Sequence, residues 1–313
     1  MTSGSNQSQP TKWQADLALA LVAAVWGTTF VVVKQALNEV STLYFLTLRF
    51  TLASVCMLLL FWPAFRRANT KDLRLGLQSG ALAGIFLWLG YVLQSFGLKY
   101  TAAGKSGFLT GLYIVLVPLL SAALFRRWPQ PRELLGVLAA TAGIVALSLP
   151  SLSGGIAFNR GDILTVGCAV AFAVHLLLLG HFSQSGNVQA VALGQIACAA
   201  FLSVVSLGLE PPRANWSPGV VFAIVLTAVF ATALAFALQT WGQKYTTVTR
   251  TALIFALEPV IALATAVAIG GERLTTSAFA GGALILAGIL IVELKPAPAL
   301  AKSEGAVSKN SLY

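Results

Sequence analysis

Charge is the scarcest property of this sequence. Asp, Glu, Lys and Arg make up 10% of its 313 residues, whereas soluble domains carry about 25%. So little polar surface cannot cover a water-soluble fold of this length, which leaves lipid as the solvent for most of the chain. Cysteine is nearly absent. Cys56, Cys168 and Cys198 each sit in an apolar run without a CxxC partner, which argues against a zinc site or a disulfide framework. The only histidines, His175 and His181, point about 240° apart on a helix, so they do not share a metal. No GxxxxGK[ST] loop is present, so ATP is not the direct energy source within this chain. Paired acids, HExxH and a Ser/His/Asp set are also missing, which disfavours an intramembrane enzyme. No cofactor is expected.

What the chain has in quantity is apolar sequence: 57% of its residues are hydrophobic and its mean hydropathy is +0.82. A membrane-spanning helix needs about 20 predominantly apolar residues. Ten segments qualify, at roughly 15–36, 42–62, 74–98, 103–125, 132–150, 161–181, 188–208, 217–239, 248–269 and 275–294. None alternates with period two, so closed barrels are excluded and helices remain. The expectation is an all-α membrane protein of ten transmembrane helices. The polar stretch Met1 to Thr11 lacks a basic region followed by a short apolar core and a cleavage site, so no signal peptide is expected.

The net charge of +10 sits in short gaps between apolar runs, not on one amphipathic face. This pattern orients a protein in a bilayer and contacts anionic headgroups, and it disfavours nucleic acid as a partner. On alternate sides of the ten segments, Lys and Arg number thirteen and six, with Arg49 left inside a segment. The excess places both termini in the cytoplasm, as an even number of passes requires.

The sequence repeats itself. Gln94-Ser-Phe-Gly97-Leu-Lys99-Tyr100-Thr101 matches Gln239-Thr-Trp-Gly242-Gln-Lys244-Tyr245-Thr246, a spacing of 145. The same spacing pairs Lys105 with Arg250, Gly136 with Gly281, and Ala142-Gly143-Ile144 with Ala287-Gly288-Ile289. Each half holds five segments, so the second enters the membrane in the opposite sense. Inverted repeats place a substrate site between the halves and support alternating access. The expected organisation is a cytoplasmic segment 1–14, repeats 15–150 and 160–294, and a disordered cytoplasmic tail 295–313.

Ionisable residues inside apolar segments are costly and are functional candidates by default. Glu258, beside Pro259, could bind a proton or a substrate amine, or could bond the backbone carbonyl that the proline frees. Arg49 could hold a substrate carboxylate, snorkel to the interface, or tie helix ends together. His175 either lines a cavity or is a satisfied core histidine. Trp26, Thr29, Trp88, Tyr91, Gln94, Tyr113, Phe236 and Gln239 are the remaining candidates. Their mix of amides and aromatics suits a zwitterion or an amphipathic small molecule better than a polyanion. Gly76, Gly80 and Gly84, four apart, read as a helix-packing face.

Several short motifs occur in a telling order: Trp26-Gly27-Thr28-Thr29-Phe30, Arg49-Phe50 and Gly97-Leu98-Lys99-Tyr100-Thr101, then Leu257-Glu258-Pro259-Val260, Gly271-Glu272-Arg273-Leu274 and Ala287-Gly288-Ile289. In this the chain resembles an EamA-type permease of the drug/metabolite transporter superfamily across 15–294. The resemblance implies ten helices, cytoplasmic termini, a central cavity, and export of amino acids or other metabolites across a bacterial inner membrane. The first half departs from the pattern. Its Pro118 falls one turn later than the match of Pro259, and Phe125-Arg126-Arg127 replaces the Gly-Glu-Arg element, so Glu272 has no acidic counterpart. Exporters of lipophilic drugs and carriers of sugars or nucleotide sugars remain as alternatives. The partners implied are a small-molecule substrate and the bilayer. The oligomeric state is left open, and a monomer suffices.

Overall fold

The computed structural model describes residues 12–100, 103–126, 128–152, 159–270 and 275–293. Expectations that fall elsewhere, among them Glu272 and the tail 295–313, lie outside the described residues. The described chain is helical. In order the helices are α1 (Lys12–Glu39), α2 (Thr42–Phe65), α3 (Thr70–Gly97), α4 (Ala103–Thr110), α5 (Tyr113–Phe125), α6 (Pro131–Leu152), α7 (Arg160–Ser185), α8 (Val188–Ser206), α9 (Pro218–Ala228), α10 (Ala235–Gln243), α11 (Val248–Phe255), α12 (Leu257–Gly270) and α13 (Thr276–Glu293). The sole β feature among the described residues is a single bridge, Val40 with Ala214.

Five helical stretches are long and apolar enough to cross a bilayer alone: Thr42–Phe65, Thr70–Gly97, Arg160–Gln184, Val188–Leu209 and Pro218–Gln243. α1 counts as a sixth if its two arms, Lys12–Thr29 and Val32–Glu39, which meet at 44°, form one span. The expected segments at 103–125 and 248–269 are each two helices. The chain breaks at Gly111–Leu112 between α4 and α5, and at Ala256 between α11 and α12. Gly111 and Ala256 are repeat partners, so the interruption belongs to both halves. Its cause in the second half is Pro259, which has no N–H for the Phe255 carbonyl. The Ala256 N–H instead closes a tighter turn on Leu253 O at 3.0 Å.

Helix starts are set by local chemistry. Asn159 and Asp162 form a capping box at α7, each side chain accepting from the other's backbone N–H at 3.1 and 2.8 Å. Asn187 caps α8, Ser217 caps α9 with Pro218 following, and Thr247 caps α11.

Small residues set the packing. A Cβ on Gly80 would lie 2.2 Å from the Val191 carbonyl oxygen, and one on Gly84 2.5 Å from that of Gln195. Contact positions rise together along α3 and α8, so these helices run parallel. Down α3 and α7 they run in opposite senses, with Gly90 against Phe172 and Gly97 against Thr165. α6 and α13 also pack antiparallel, Gly136 on Gly288 and Gly143 on Gly281. These four glycines are two pairs of repeat partners, and each touches the other pair's member. Such an exchange is what a two-fold relation between inverted halves produces. The structure therefore has the two-repeat architecture read from the sequence.

α9 and α10 are joined by a π-helical turn, Val229–Leu234. The Thr232 hydroxyl donates to Thr227 O, five residues back, at 2.8 Å. π-turns interrupt the regular ladder and occur often at functional sites.

Candidate functional site

The two chain breaks meet at one cavity of about 90 Å³ between the halves. Tyr113, in the first turn of α5, and Glu258, in the first turn of α12, are repeat partners, and both line it. α1 contributes Trp26 and Thr29, α2 Arg49, α3 Tyr91 and Gln94, α7 Phe172 and His175, α10 Phe236 and Gln239, and α11 Phe255. Gly27 makes the approach of α1 possible, since a Cβ there would sit 2.7 Å from the Glu258 carbonyl oxygen.

The walls are aromatic. Trp26 stacks tilted on Phe236 and edge-on to Phe255, with centroids at 5.3 and 5.1 Å. Tyr91 meets Phe50 at 5.3 Å and Phe172 at 5.5 Å. Edge-to-face contacts of this kind hold rings in fixed orientations.

Arg49 is 4% exposed, so it does not snorkel to an interface. Its Nε donates to the Thr232 hydroxyl at 2.7 Å, and its Nη2 donates to Tyr91 Oη at 3.2 Å and Ala231 O at 3.3 Å. The guanidinium also lies 4.7 Å from the Tyr91 ring centre. Trp26 Nε1 donates to the same Ala231 carbonyl at 2.9 Å. The π-turn thus presents the Ala231 carbonyl and the Thr232 hydroxyl to Arg49, and the same carbonyl to Trp26. Among the described residues every partner of Arg49 is neutral, and no carboxylate forms an ion pair with it.

Glu258 is the acid of the cavity. Among the described residues its side chain makes no hydrogen bond and no ion pair, so it does not bond the backbone freed by Pro259. Gln239 is 1% exposed. It donates to Gln243 Oε1 at 3.3 Å and leaves its own Oε1 without a protein partner. Gln94 donates weakly to Thr110 Oγ1 at 3.4 Å. The Thr29 hydroxyl turns back on the carbonyls of Val25 and Trp26, 3.0 Å from each.

His175 is held by a chain that fixes its tautomer. Thr240 donates its single proton to Phe236 O at 2.6 Å, so it must accept from Gln195 Nε2 at 2.9 Å. Gln195 Oε1 then accepts, which makes His175 Nε2, 2.8 Å away, the protonated nitrogen. Nδ1 is left as an acceptor.

Of the residues singled out from sequence, Trp88 alone stands away from the cavity. It packs beside the α2–α8 cluster, with Nε1 buried and without a partner. The cavity stripe of α3 runs Leu87, Tyr91, Gln94, Ser95 and Leu98, and Trp88 lies about 100° round the helix from Leu87. Sequence reasoning missed Gln195, Thr232, Phe172, Phe255 and Thr110. Among the described residues no three His, Cys, Asp or Glu side chains converge.

The profile of the EamA-like transporter family matches residues 13–149 and again 159–294. An "uncharacterized transporter" of Archaeoglobus fulgidus is 37% identical over 281 residues, covering 90% of this chain and 86% of that protein. A "probable amino-acid metabolite efflux pump" of Salmonella typhimurium is 27% identical over 285 residues, covering 87% and 92%. A solved crystal structure superimposes with a TM-score of 0.74 at 21% identity, over 91% of this chain and 98% of that one, a likeness of fold. Matched in both halves and across nearly its whole described length, the chain is a multi-pass membrane protein that belongs to the EamA-like transporter family.

Proposed function

We propose that this transporter exports small zwitterionic metabolites, amino acids first, by alternating access across a bacterial inner membrane with both termini in the cytoplasm. On this reading the helices form ten passes, with α4–α5, α9–α10 and α11–α12 each counting as one. The observation that carries the proposal is the pairing of opposite charges in one aromatic cavity. Among the described residues Glu258 has no hydrogen-bond or ion-pair partner, Arg49 has only neutral ones, and both line the space between the repeats. An ammonium and a carboxylate on one small molecule would satisfy both.

Size supports the same choice. Sites for drug-sized ligands run to about 300–1,000 Å³, well beyond the 90 Å³ here. A nucleotide sugar would also need several inward cations for its phosphates, and Arg49 is the cation among the residues lining the cavity. The name of the Salmonella typhimurium relative is consistent with amino-acid export.

The test is counterflow of labelled amino acids in proteoliposomes. Saturable exchange of a few of them is expected, and a complete absence with inserted, folded protein would remove amino acids from the proposal. If Glu258 carries a proton, uptake by wild type will respond to an imposed pH gradient. Glu258→Gln, which is neutral at every pH, is then expected to exchange substrate without that response. An unchanged response in the variant would exclude Glu258 as the proton carrier.

A further inference from the structure

The inverted repeat puts the same short motif at both ends of the bundle. Lys99-Tyr100-Thr101 follows α3, and Lys244-Tyr245-Thr246 follows α10. The two lysines meet different fates. Lys99 Nζ donates to Glu210 Oε1 at 2.7 Å, and Glu210 Oε2 accepts from the Leu43 N–H at 2.8 Å. Lys99 is thereby paired. Among the described residues no carboxylate pairs with Lys244, and none pairs with Lys12, its neighbour at the same end.

Both lysines line a second cavity of about 290 Å³, separate from the first, and Arg132 and Arg250 complete its wall. The four cations come from four elements: the starts of α1, α6 and α11 and the end of α10. Among the described side chains two acids stand near them, and both are engaged. Asp16 accepts from Arg250 Nη2 at 2.7 Å. Glu133 accepts from the Gln130 N–H at 2.9 Å and from Thr247 Oγ1 at 3.2 Å. A net positive cavity that Thr246 also lines has the composition of an anion receptor. Phosphate oxygens accept from lysine, arginine and hydroxyl donors together.

We propose that this cavity binds a phosphate group, presented either as the headgroup of an anionic lipid or as a free phosphate ion. By the count of basic residues this end faces the cytoplasm, where anionic lipids and phosphate are both at hand. Arg250 belongs both to the cavity and to the Asp16 contact that ties α1 to α11. A phosphate held there shares Arg250 with Asp16 and so acts on the closure of this end. The site stands apart from the central cavity, so the proposal does not depend on the identity of the transported substrate.

The test is direct binding to purified, delipidated full-length protein at fixed ionic strength. One arm uses radiolabelled inorganic phosphate and the other short-chain phosphatidylglycerol, with phosphatidylcholine as the uncharged control. Saturable binding in at least one arm is expected. The double variant Lys12→Gln/Lys244→Gln should weaken it roughly thirtyfold, the scale of two juxtamembrane basic residues. The variant Lys71→Gln/Arg74→Gln, which carries the same charge change outside the cavity, should bind as wild type does. Saturation by phosphate marks the free ion as a ligand, and saturation by the lipid alone marks the headgroup. No saturation in either arm would overturn the proposal, as would equal affinity in the double variant. Lys12 and Lys244 are exposed, so these substitutions leave the packed interior intact.

Discussion

Arg49→Met is expected to fold about as well as wild type and to lose transport by roughly a hundredfold or more, the scale of a buried hydrogen-bonded charge contact to substrate. Both parts follow from the surroundings of the guanidinium. A buried charge whose partners are all neutral pays desolvation without a counter-charge to offset it. Removing the charge relieves that desolvation and offsets the roughly 1–3 kcal/mol of leaving Tyr91 Oη without its donor, so little net change in stability is expected. If Arg49 served only to tie α2 to the π-turn, the variant would lose stability and function together. If it holds a substrate carboxylate, function falls while thermal stability in detergent holds. The two readings separate in one pair of measurements, counterflow and unfolding temperature. Arg49→Lys is informative beside it. A lysine keeps the charge but cannot reach Thr232 and Tyr91 at once, so partial transport is expected. Full activity in Arg49→Met would remove the residue from the binding site.

Gly80→Ala is expected to be the most disruptive single-methyl change in the protein's described interior. The added Cβ would meet the Val191 carbonyl oxygen at 2.2 Å and the Gln195 nitrogen at 3.0 Å. Both are backbone atoms of α8, so no side chain can swing aside. α3 and α8 must separate, at a cost of about 1–3 kcal/mol or more. The damage should reach the cavity, because the same stretch of α8 carries Gln195, which orients His175. A sharp drop in monodisperse yield and in unfolding temperature is the expected readout. Gly107→Ala is the matched control: nothing lies within 4 Å of its added Cβ, and alanine favours a helix over glycine. Equal behaviour of the two variants would show that the α3–α8 contact is not as close as described.

The architecture was readable because lipid imposes so few solutions. Long apolar runs without alternation admit only helices, and a repeated Gln-x-x-Gly-x-Lys-Tyr-Thr with an odd number of passes admits only an inverted pair. The site was readable in part for the same reason. Polar and ionisable side chains at bilayer depth are few, and Arg49, Gln94, His175, Gln239 and Glu258 were conspicuous in apolar sequence. What stayed hidden was what depends on register. A single spacing of 145 pairs Tyr113 with Glu258 correctly, yet the buried faces of α2 and α8 match at 146. Phe45, Leu46, Arg49, Phe50 and Ala53 fall opposite Val191, Ala192, Gln195, Ile196 and Ala199, and all ten are buried. At that spacing Arg49 and Gln195 are partners, a cation in one half and an amide in the other. Loop lengths shift the spacing, and a fixed offset passes over the pair. Trp88 went astray for a similar reason, since its neighbour Leu87 holds the place on the inward stripe.

The π-turn between α9 and α10 stands where these spacings change. Before it, buried Gly76, Gly80, Ala83, Gly84 and Leu87 of α3 correspond at 144 to buried Val220, Ile224, Thr227, Ala228 and Ala231. Beyond it, Ser95 and Gly97 correspond at 145 to Thr240 and Gly242. Between Ala231, inside the turn, and Thr240 the second half therefore carries one residue more than the first. In a carrier made of two identical inverted copies, the inward-open and outward-open forms would be superimposable and equal in free energy. The halves here are not identical, and one of their differences is this extra residue beside the Ala231 carbonyl and the Thr232 hydroxyl that Arg49 contacts. On the alternating-access reading, the empty carrier then has a preferred side on which to rest, which makes its apparent affinities and rates differ between the two faces, while the direction of net flux is set by the substrate and ion gradients.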